Sequence, residues 1–496
     1  MHELRQSAPG GSGVGMTPAQ QELVDAVTAR FGPKTALTEA DSIAPWLNDW
    51  RGRYHGAAPA ILQPDSTPAV AAIVTLAAQH GVALVPQGGN TSMGGGATPP
   101  ADGSALILSL RRMNRVRRID AAANLAEVEA GVILADLHAA ALAEGKRFPL
   151  TLGAKGSATV GGLVSTNAGG TQVLRFGTMR GLVLGLEAVL PDGSIHDGLA
   201  ALKKDNRGYD LNQLLIGAEG TLGVVTAASL RLVPAVRARA VAWAGLASPH
   251  VALELLRALE AATDTIESFE IVPAHSLGAV LRHIPDTRAP LAGDHPWHVL
   301  IEAVATGADQ EPPAALLERL LAWAFERGLV VDAAIAASEA QADAFWKLRE
   351  SISEAERASG PALQHDISVP VAGMPDFMVD GAKAVEARFP GVSAGAFGHL
   401  GDGNVHFHVR APAGSAADWA KVNSDVISPY VHDLVVAAGG SISAEHGIGQ
   451  MKRDELARLS SPARMHALAA IKQAFDPGNL LNPGKLVSLA PERPGQ

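Results

Sequence analysis

Pro86-Gln87-Gly88-Gly89-Asn90-Thr91-Ser92-Met93-Gly94-Gly95-Gly96 follows directly on Val82-Ala83-Leu84-Val85. The apolar run reads as a short buried strand. Five glycines within nine residues, interleaved with Asn, Thr and Ser, then let successive backbone N–H groups converge on one anion. The pattern is neither GxGxxG nor GxxxxGKS, so neither a nicotinamide Rossmann site nor a P-loop follows. A phosphate- or pyrophosphate-binding loop is one reading, and a flexible surface loop is the other.

Upstream of this junction, Asp65-Ser66-Thr67-Pro68 opens a helix with Val70, Ile73, Val74 and Ala77 on its apolar face, and Gly81 ends it. A shorter helix is predicted over 17–30. Downstream, strands are predicted over 104–110 and 125–130, with a helix over 133–144 closed by Gly145. A second glycine-rich stretch runs from Gly153 to Gly170. A third, Gly217-Ala218-Glu219-Gly220-Thr221-Leu222-Gly223, precedes a strand over 224–233. Leu182 to Leu190, the turn Pro191-Asp192-Gly193-Ser194 and Ile195 read as a hairpin. Three glycine groups in one α+β stretch favour an extended dinucleotide ligand over unrelated loops.

The chain has 496 residues, enough for two or three domains. Hydrophobic residues make up 47% but aromatics only 4%, so the cores must be built from Ala, Val, Leu and Ile. A net charge of −10 argues against a nucleic-acid partner. The lack of Cys excludes disulfides, thiolate metal sites and thiol nucleophiles. No apolar run has the length of a membrane span. Residues 1–16 lack the apolar core of a signal peptide and read as a flexible lead in a cytoplasmic protein, with Met16 as an alternative start.

Past Pro234 glycines thin out and helices alternate with strands, which marks a second domain. One helix is predicted over 338–359. On it Arg349 and Ser353, four apart, share a face. A helical Arg is solvated, paired with an acid, or a carboxylate clamp. The stretch Gly398 to His408, GHLGDGNVHFH, gathers three of the seventeen histidines. A strand over 441–444 is expected to run into Glu445-His446-Gly447. Two His and a carboxylate make a metal-binding set with an open position, although a hairpin with backbone-bonded histidines would look the same. Neighbours on a strand face opposite ways, so a site using both Glu445 and His446 needs a turn at Gly447. Asp402 and Asn404 read as turn residues. His408 shares a strand face with His406.

PQGGNTSMGGG at 86–96, LGAKGSATVGGLVSTNAGG at 152–170, KKDNRGYDLNQLLIGAEGTLG at 203–223, GHLGDGNVHF at 398–407, SAEHGIGQMKRDEL at 443–456 and FDPGNLLNPGK at 475–485 together resemble one family. It is the FAD-dependent D-2-hydroxyacid dehydrogenases of the vanillyl-alcohol-oxidase (PCMH-type) superfamily, with D-2-hydroxyglutarate dehydrogenase as the nearest branch. The resemblance implies an α+β fold: a PCMH-type FAD-binding domain of two subdomains, an α/β substrate (cap) domain, and a C-terminal segment returning to the flavin. The divisions expected are 17–234, 235–440 and 441–496.

By motif position, Pro86, Gln87, Gly88, Gly89, Asn90, Thr91, Gly94, Gly95 and Gly96 would hold the FAD pyrophosphate. Gly153, Gly156, Ser157, Gly161, Gly162 and Asn167 would line the rest of the cofactor, with Gly223, Val224 and Asn482 against it. No His stands in the 86–96 loop, so FAD is expected to be non-covalent. His399, His406 and Glu445 match ligands of a divalent metal, usually zinc. His446 matches the base, and Arg349 with Ser353 the clamp on the substrate carboxylate.

The D-2-hydroxyglutarate branch tends to have Lys where Gln364 stands and Asn where His408 stands. Gln364 carries no charge, so one charge-assisted contact to a distal carboxylate is expected to be lost. The implied function is oxidation of a D-2-hydroxyacid, D-2-hydroxyglutarate or a relative such as D-lactate, to the 2-oxoacid. Electrons would pass to an electron-transfer flavoprotein or quinone, in a homodimer. The alternatives are an accessory flavoprotein subunit of a glycolate-oxidase-like complex and a transferase of the alkylglycerone-phosphate synthase type.

Overall fold

The computed structural model describes residues 14–489. Residues 1–13 of the expected lead lie outside the described residues, and Met16 packs on the first core. Thr17 caps the helix Pro18–Phe31 through a reciprocal capping box with Gln20. The helix Thr67–His80 buries Val70, Ile73, Val74 and Ala77 and stops at Gly81, whose φ of +64° is left-handed.

The strand Ala83–Gln87 that feeds the 86–96 loop is the edge of a four-stranded sheet, in the order 36–37, 61–62, 105–109, 83–87. An edge strand offers unpaired backbone groups. The chain's own tail covers them: Leu84 N donates to Leu480 O, and Asn482 N donates to Leu84 O, each at 2.8 Å. A second sheet, antiparallel throughout, runs in the order 116–120, 125–129, 224–231, 183–189, 195–198. The expected hairpin at 182–195 is its last pair.

The second half is a seven-stranded sheet in the order 332–335, 238–246, 297–305, 266–273, 393–399, 404–410, 362–368. Helices alternate with strands, as expected of an α/β layer, but every pairing is antiparallel. Alternate residues go to opposite faces. Ala242, Ile271, Ile301, Ile367 and Phe407 pack beneath the helices Pro249–Ala262, Pro313–Glu326 and Trp419–Ala437. Trp243, Val272, Leu300 and Phe397 pack beneath Ala274–His283, Glu339–Glu350 and Ile352–Ala358. The second face also carries the polar residues Glu270, His406 and His408.

Two expected elements differ. The helix over 338–359 breaks at Ser351 into Glu339–Glu350 and Ile352–Ala358. Ser353 therefore lies past the break, on the second helix. The strand over 441–444 is one bridge pair, Ser441 with Ser368, followed by bends. The backbone leaves the sheet there, and a few residues on the N–H groups of Glu445 and His446 bind a side chain, described below.

Two histidines inside this domain have no room for charge. Burial, with His295 nearby, lowers His298 to about 4, and burial, with His432 nearby, lowers His365 to about 3. An unfolded imidazole titrates near 6.5. Between the two values the unfolded chain binds the proton and the folded chain does not, so stability rises with pH. The contribution is complete above about 6.5 and is lost as pH falls toward 4 for His298 and 3 for His365. We expect a lower urea midpoint at pH 4.5 than at pH 7, and a shallower pH dependence in His298→Phe. An unchanged pH dependence in that variant would rule His298 out as a contributor.

Candidate active site

Ser393–His399 and Asn404–Arg410 are consecutive strands joined by a tight turn. Asp402 serves the turn, its Oδ1 accepting from Asn404 N at 2.9 Å, and Gly403 has φ +79°. The turn sets His399 and His406 side by side, ring centroids 5.5 Å apart. The ligand atoms of His399, His406 and Glu445 all lie within 4.8 Å of one another. Asp366, Glu445 and His446 form a second such group. Two imidazoles and a carboxylate at this spacing fit a divalent ion with a free position.

Glu270, absent from the sequence-based set, orders the first group. Its Oε1 lies 2.7 Å from His399 Nδ1, which leaves Nε2 of that ring for a metal. Its Oε2 accepts from Arg349 Nε at 2.8 Å. Burial alone would raise Glu270, but the cations of His399 and Arg349 hold it below the ordinary carboxylate range. Burial likewise opposes charge on His399, and Glu270 overcomes it, pushing that imidazole up to about 9. Arg349 is buried, with its guanidinium 5.1 Å from the centre of the Phe397 ring.

Asp366 brings in the far end of the chain. Its Oδ2 accepts from Glu445 N at 2.9 Å and His446 N at 3.0 Å, and its Oδ1 from Asn404 Nδ2 at 2.9 Å. Burial opposes the charge on Asp366, but His446 and the Lys452 ammonium hold its carboxyl far below the usual range. Lys452 Nζ ties the same turn to Asp366 O and Ile442 O. Burial raises Glu445 to about 7 and lowers His446 to about 4.

Glu219, in the third glycine group, holds the turn from the other side. Its two carboxylate oxygens accept from Ile448 N and Gly449 N, each at 2.7 Å. A Cβ on Gly449 would collide with the Gly94 carbonyl, so the 94–96 glycines face this turn. Gly94 O accepts from Gln450 N at 3.1 Å, and Gly96 O accepts from Asn482 Nδ2 at 2.9 Å.

Among the described residues, no backbone N–H from Gly88 to Gly95 finds an acceptor. Beside Gly88 the buried Thr159 hydroxyl also lacks a partner. Gly153, Gly156, Ser157 and Gly162 are exposed nearby in sequence. This is a cradle of free donors and small residues, and it fits an extended phosphate-bearing ligand. Other sequence-predicted residues have internal roles. Gln87 donates to Trp46 O and Ala97 O, Asn167 caps a helix in the left-handed region, and Gly161 and Gly223 pack against backbone. Val224 lies in the core, and both amide hydrogens of Asn482 are taken by Gly96 O and Glu219 O. The second glycine stretch reaches Glu445 too, since a Cβ on Gly169 would stand 3.5 Å from Glu445 Oε1.

Glu219, Glu270, Asp366 and Lys452 were missed by reasoning from motif chemistry. A signal existed for two of them. Glu270 stands between Phe269 and Ile271, and Asp366 directly before Ile367, in the strands IESFEIVP and ALQHDIS, and a charge on a buried strand needs a partner. The pinning by Asp366 is measurable. Asp366→Ala removes the acceptor of two backbone N–H groups, at about 1–3 kcal/mol for an orphaned group. Hydrogen exchange over 443–452 should speed up by tenfold or more in that variant. Exchange rates equal to the parent would mean that Asp366 does not hold the turn.

Residues 58–198 match the FAD binding domain family, and residues 235–486 match the C-terminal domain of FAD linked oxidases. D-2-hydroxyglutarate dehydrogenase, mitochondrial, of Arabidopsis thaliana is 36% identical over 92% of this chain and 80% of its own length. D-2-hydroxyglutarate–pyruvate transhydrogenase of Saccharomyces cerevisiae is 33% identical over 90% of each chain. The structure of p-cresol methylhydroxylase with substrate bound superposes with a TM-score of 0.74 at 17% identity, over 97% of this chain and 99% of that one. Among the described residues no helix is long and apolar enough to cross a membrane. The expectation of a cytoplasmic protein gains no support from a relative named mitochondrial. With this identity sustained over nearly its whole length, the chain belongs to the FAD-dependent D-2-hydroxyacid dehydrogenase family.

Proposed function

We propose that this protein oxidises a D-2-hydroxyacid to the 2-oxoacid, with FAD as the hydride acceptor. The observation that carries the reading is the meeting of three parts at one place: the free N–H loop at 88–95, the His399/His406/Glu445 group, and His446 on a turn pinned by Asp366. FAD, when bound, would supply a two-electron acceptor for the C2 hydride. A divalent ion, zinc by its donor set, would supply a Lewis acid that lowers the pKa of that hydroxyl.

His399, His406 and Glu445 would hold the ion, with Glu270 fixing the ring of His399. His446 is the group we assign to take the hydroxyl proton. Burial keeps its imidazole neutral at pH 7, as a base requires. Arg349, anchored by Glu270 and stacked on Phe397, would bind the C1 carboxylate with its remaining donors. Ser353, on the next helix, is assigned to the same carboxylate. We read 17–234 as the FAD domain, 235–440 as the substrate domain and 441–496 as the segment that closes the site. The acceptor after the flavin would be an electron-transfer flavoprotein or quinone, since the chain has no nicotinamide-binding glycine pattern. A transferase reading leaves the two imidazoles and the carboxylate without use.

Anaerobic addition of D-2-hydroxyacids should bleach the flavin, and the L-acids should not. Flavin that stays oxidised with every D-acid would refute the proposal. Chelation should abolish turnover while FAD stays bound, with zinc restoring it; full activity after complete metal removal would sink the metal assignment. His446→Gln should lower kcat by about 10²–10⁴-fold with FAD retained. A loss below tenfold would place the base elsewhere.

A further inference from the structure

Glu445 belongs to two groups of metal-ligating side chains at once. One is His399, His406 and Glu445. The other is Asp366, Glu445 and His446, whose ligand atoms also lie within 4.8 Å of one another. The groups are neighbours in the sheet, because Asp366 pairs directly across from His406 in the strands 362–368 and 404–410. A carboxylate has two oxygens and can serve one ion with each. Paired ions in protein sites stand about 3.5–4 Å apart.

Two ligands of the second group are not used up inside the protein. Among the described residues, the Glu445 carboxylate accepts no hydrogen bond, although the Glu445 backbone N–H is taken by Asp366. The His446 ring makes no hydrogen bond either. Its Nδ1 stands 3.4 Å from Asp366 Oδ2, and its side chain is 23% exposed, so a hydrated ion can reach it. Asp366 is the weakest of the three ligands. A carboxylate has about four acceptor positions, and the N–H groups of Glu445 and His446 and the Asn404 amide already take three.

The charge at this place is mixed. Asp366 and Asp402 face Glu445 as anions, and His399 and Arg349 face it as cations. Asp366 also faces His446, opposed by Lys452, Arg51 and Arg53. One imidazole against two, a shared carboxylate and the nearby cations all make the second group a weaker zinc ligand set than the first.

We propose that Asp366, Glu445 and His446 form a second, weaker divalent-cation site, and that zinc in it inhibits the enzyme by taking the lone pair of the His446 ring. The assignment rests on the reading above, in which His446 receives the hydroxyl proton. A neutral imidazole has one acceptor nitrogen. It serves either an ion or a proton, so zinc supports turnover at one ion per chain and stops it at two.

Chelator-treated holoenzyme that retains FAD tests this by equilibrium dialysis against zinc. The parent should bind two ions per chain, the second at least about tenfold more weakly. Turnover should rise as the first ion fills and fall as the second fills, and a zinc buffer that removes only the second should restore it. His446→Ala should bind one ion with the affinity of the first, and that ion and its FAD content report a folded variant. A parent that saturates at one zinc overturns the second site, and so does a His446→Ala variant that still binds two. Two bound ions with undiminished turnover overturn the inhibition. If the chain with one zinc turns over no D-2-hydroxyacid, the functional reading fails and the inhibition falls with it. One working zinc and no second ion removes this site alone.

Discussion

The Asp366 carboxylate is the contact on which the active centre depends. It sits in the strand 362–368 with nearly no exposure, and it binds two consecutive N–H groups of a segment eighty residues away in sequence (Glu445 and His446). Regular strand geometry would send those two side chains to opposite faces. The anion ends the strand after a single bridge, and Gly447, with φ +73°, completes the turn. Glu445 then joins the His399/His406 group, and His446 groups with Asp366 and Glu445. Without an acceptor there, two buried N–H groups would be orphaned and the turn would have no reason to stop where it does.

A second buried carboxylate works from the opposite side. Glu219 belongs to the third glycine group and adopts φ +52°, which an acidic residue takes only under local constraint. It receives the N–H groups of Ile448 and Gly449, and the 94–96 glycines close over the same turn. Lys472 extends the attachment, donating to Thr221 O at 2.8 Å and Leu481 O at 2.9 Å. The C-terminal segment is thus clamped between both halves of the chain. A ligand in the 88–95 loop and a ligand at the histidines are brought together by that clamp. Glu267, paired with Arg147 and Arg175, adds a further contact between the halves.

Gln364 follows the same logic of groups supplied across the junction. Gln364 alone is neutral and versatile. Arg51 donates to its Oε1 from the first half of the chain and so fixes its orientation. A side chain's role here is decided by its partner from the other half more than by its own type.

The sequence by itself determined the local elements and much of the site's inventory. Pro68 and Gly81 bounded a helix because one lacks an N–H and the other tolerates positive φ. The alternation in 404–410 put His406 and His408 on one face because strand side chains alternate. Both features are short-range, so the spacing of residues carried them. The tertiary structure alone decided the break at Ser351, the end of the strand at Ser441, and the roles of Glu219, Glu270, Asp366 and Arg51. Each of those rests on a charge meeting donors or cations from a distant segment. Such pairing energies depend on separation and burial in space, which no local pattern encodes.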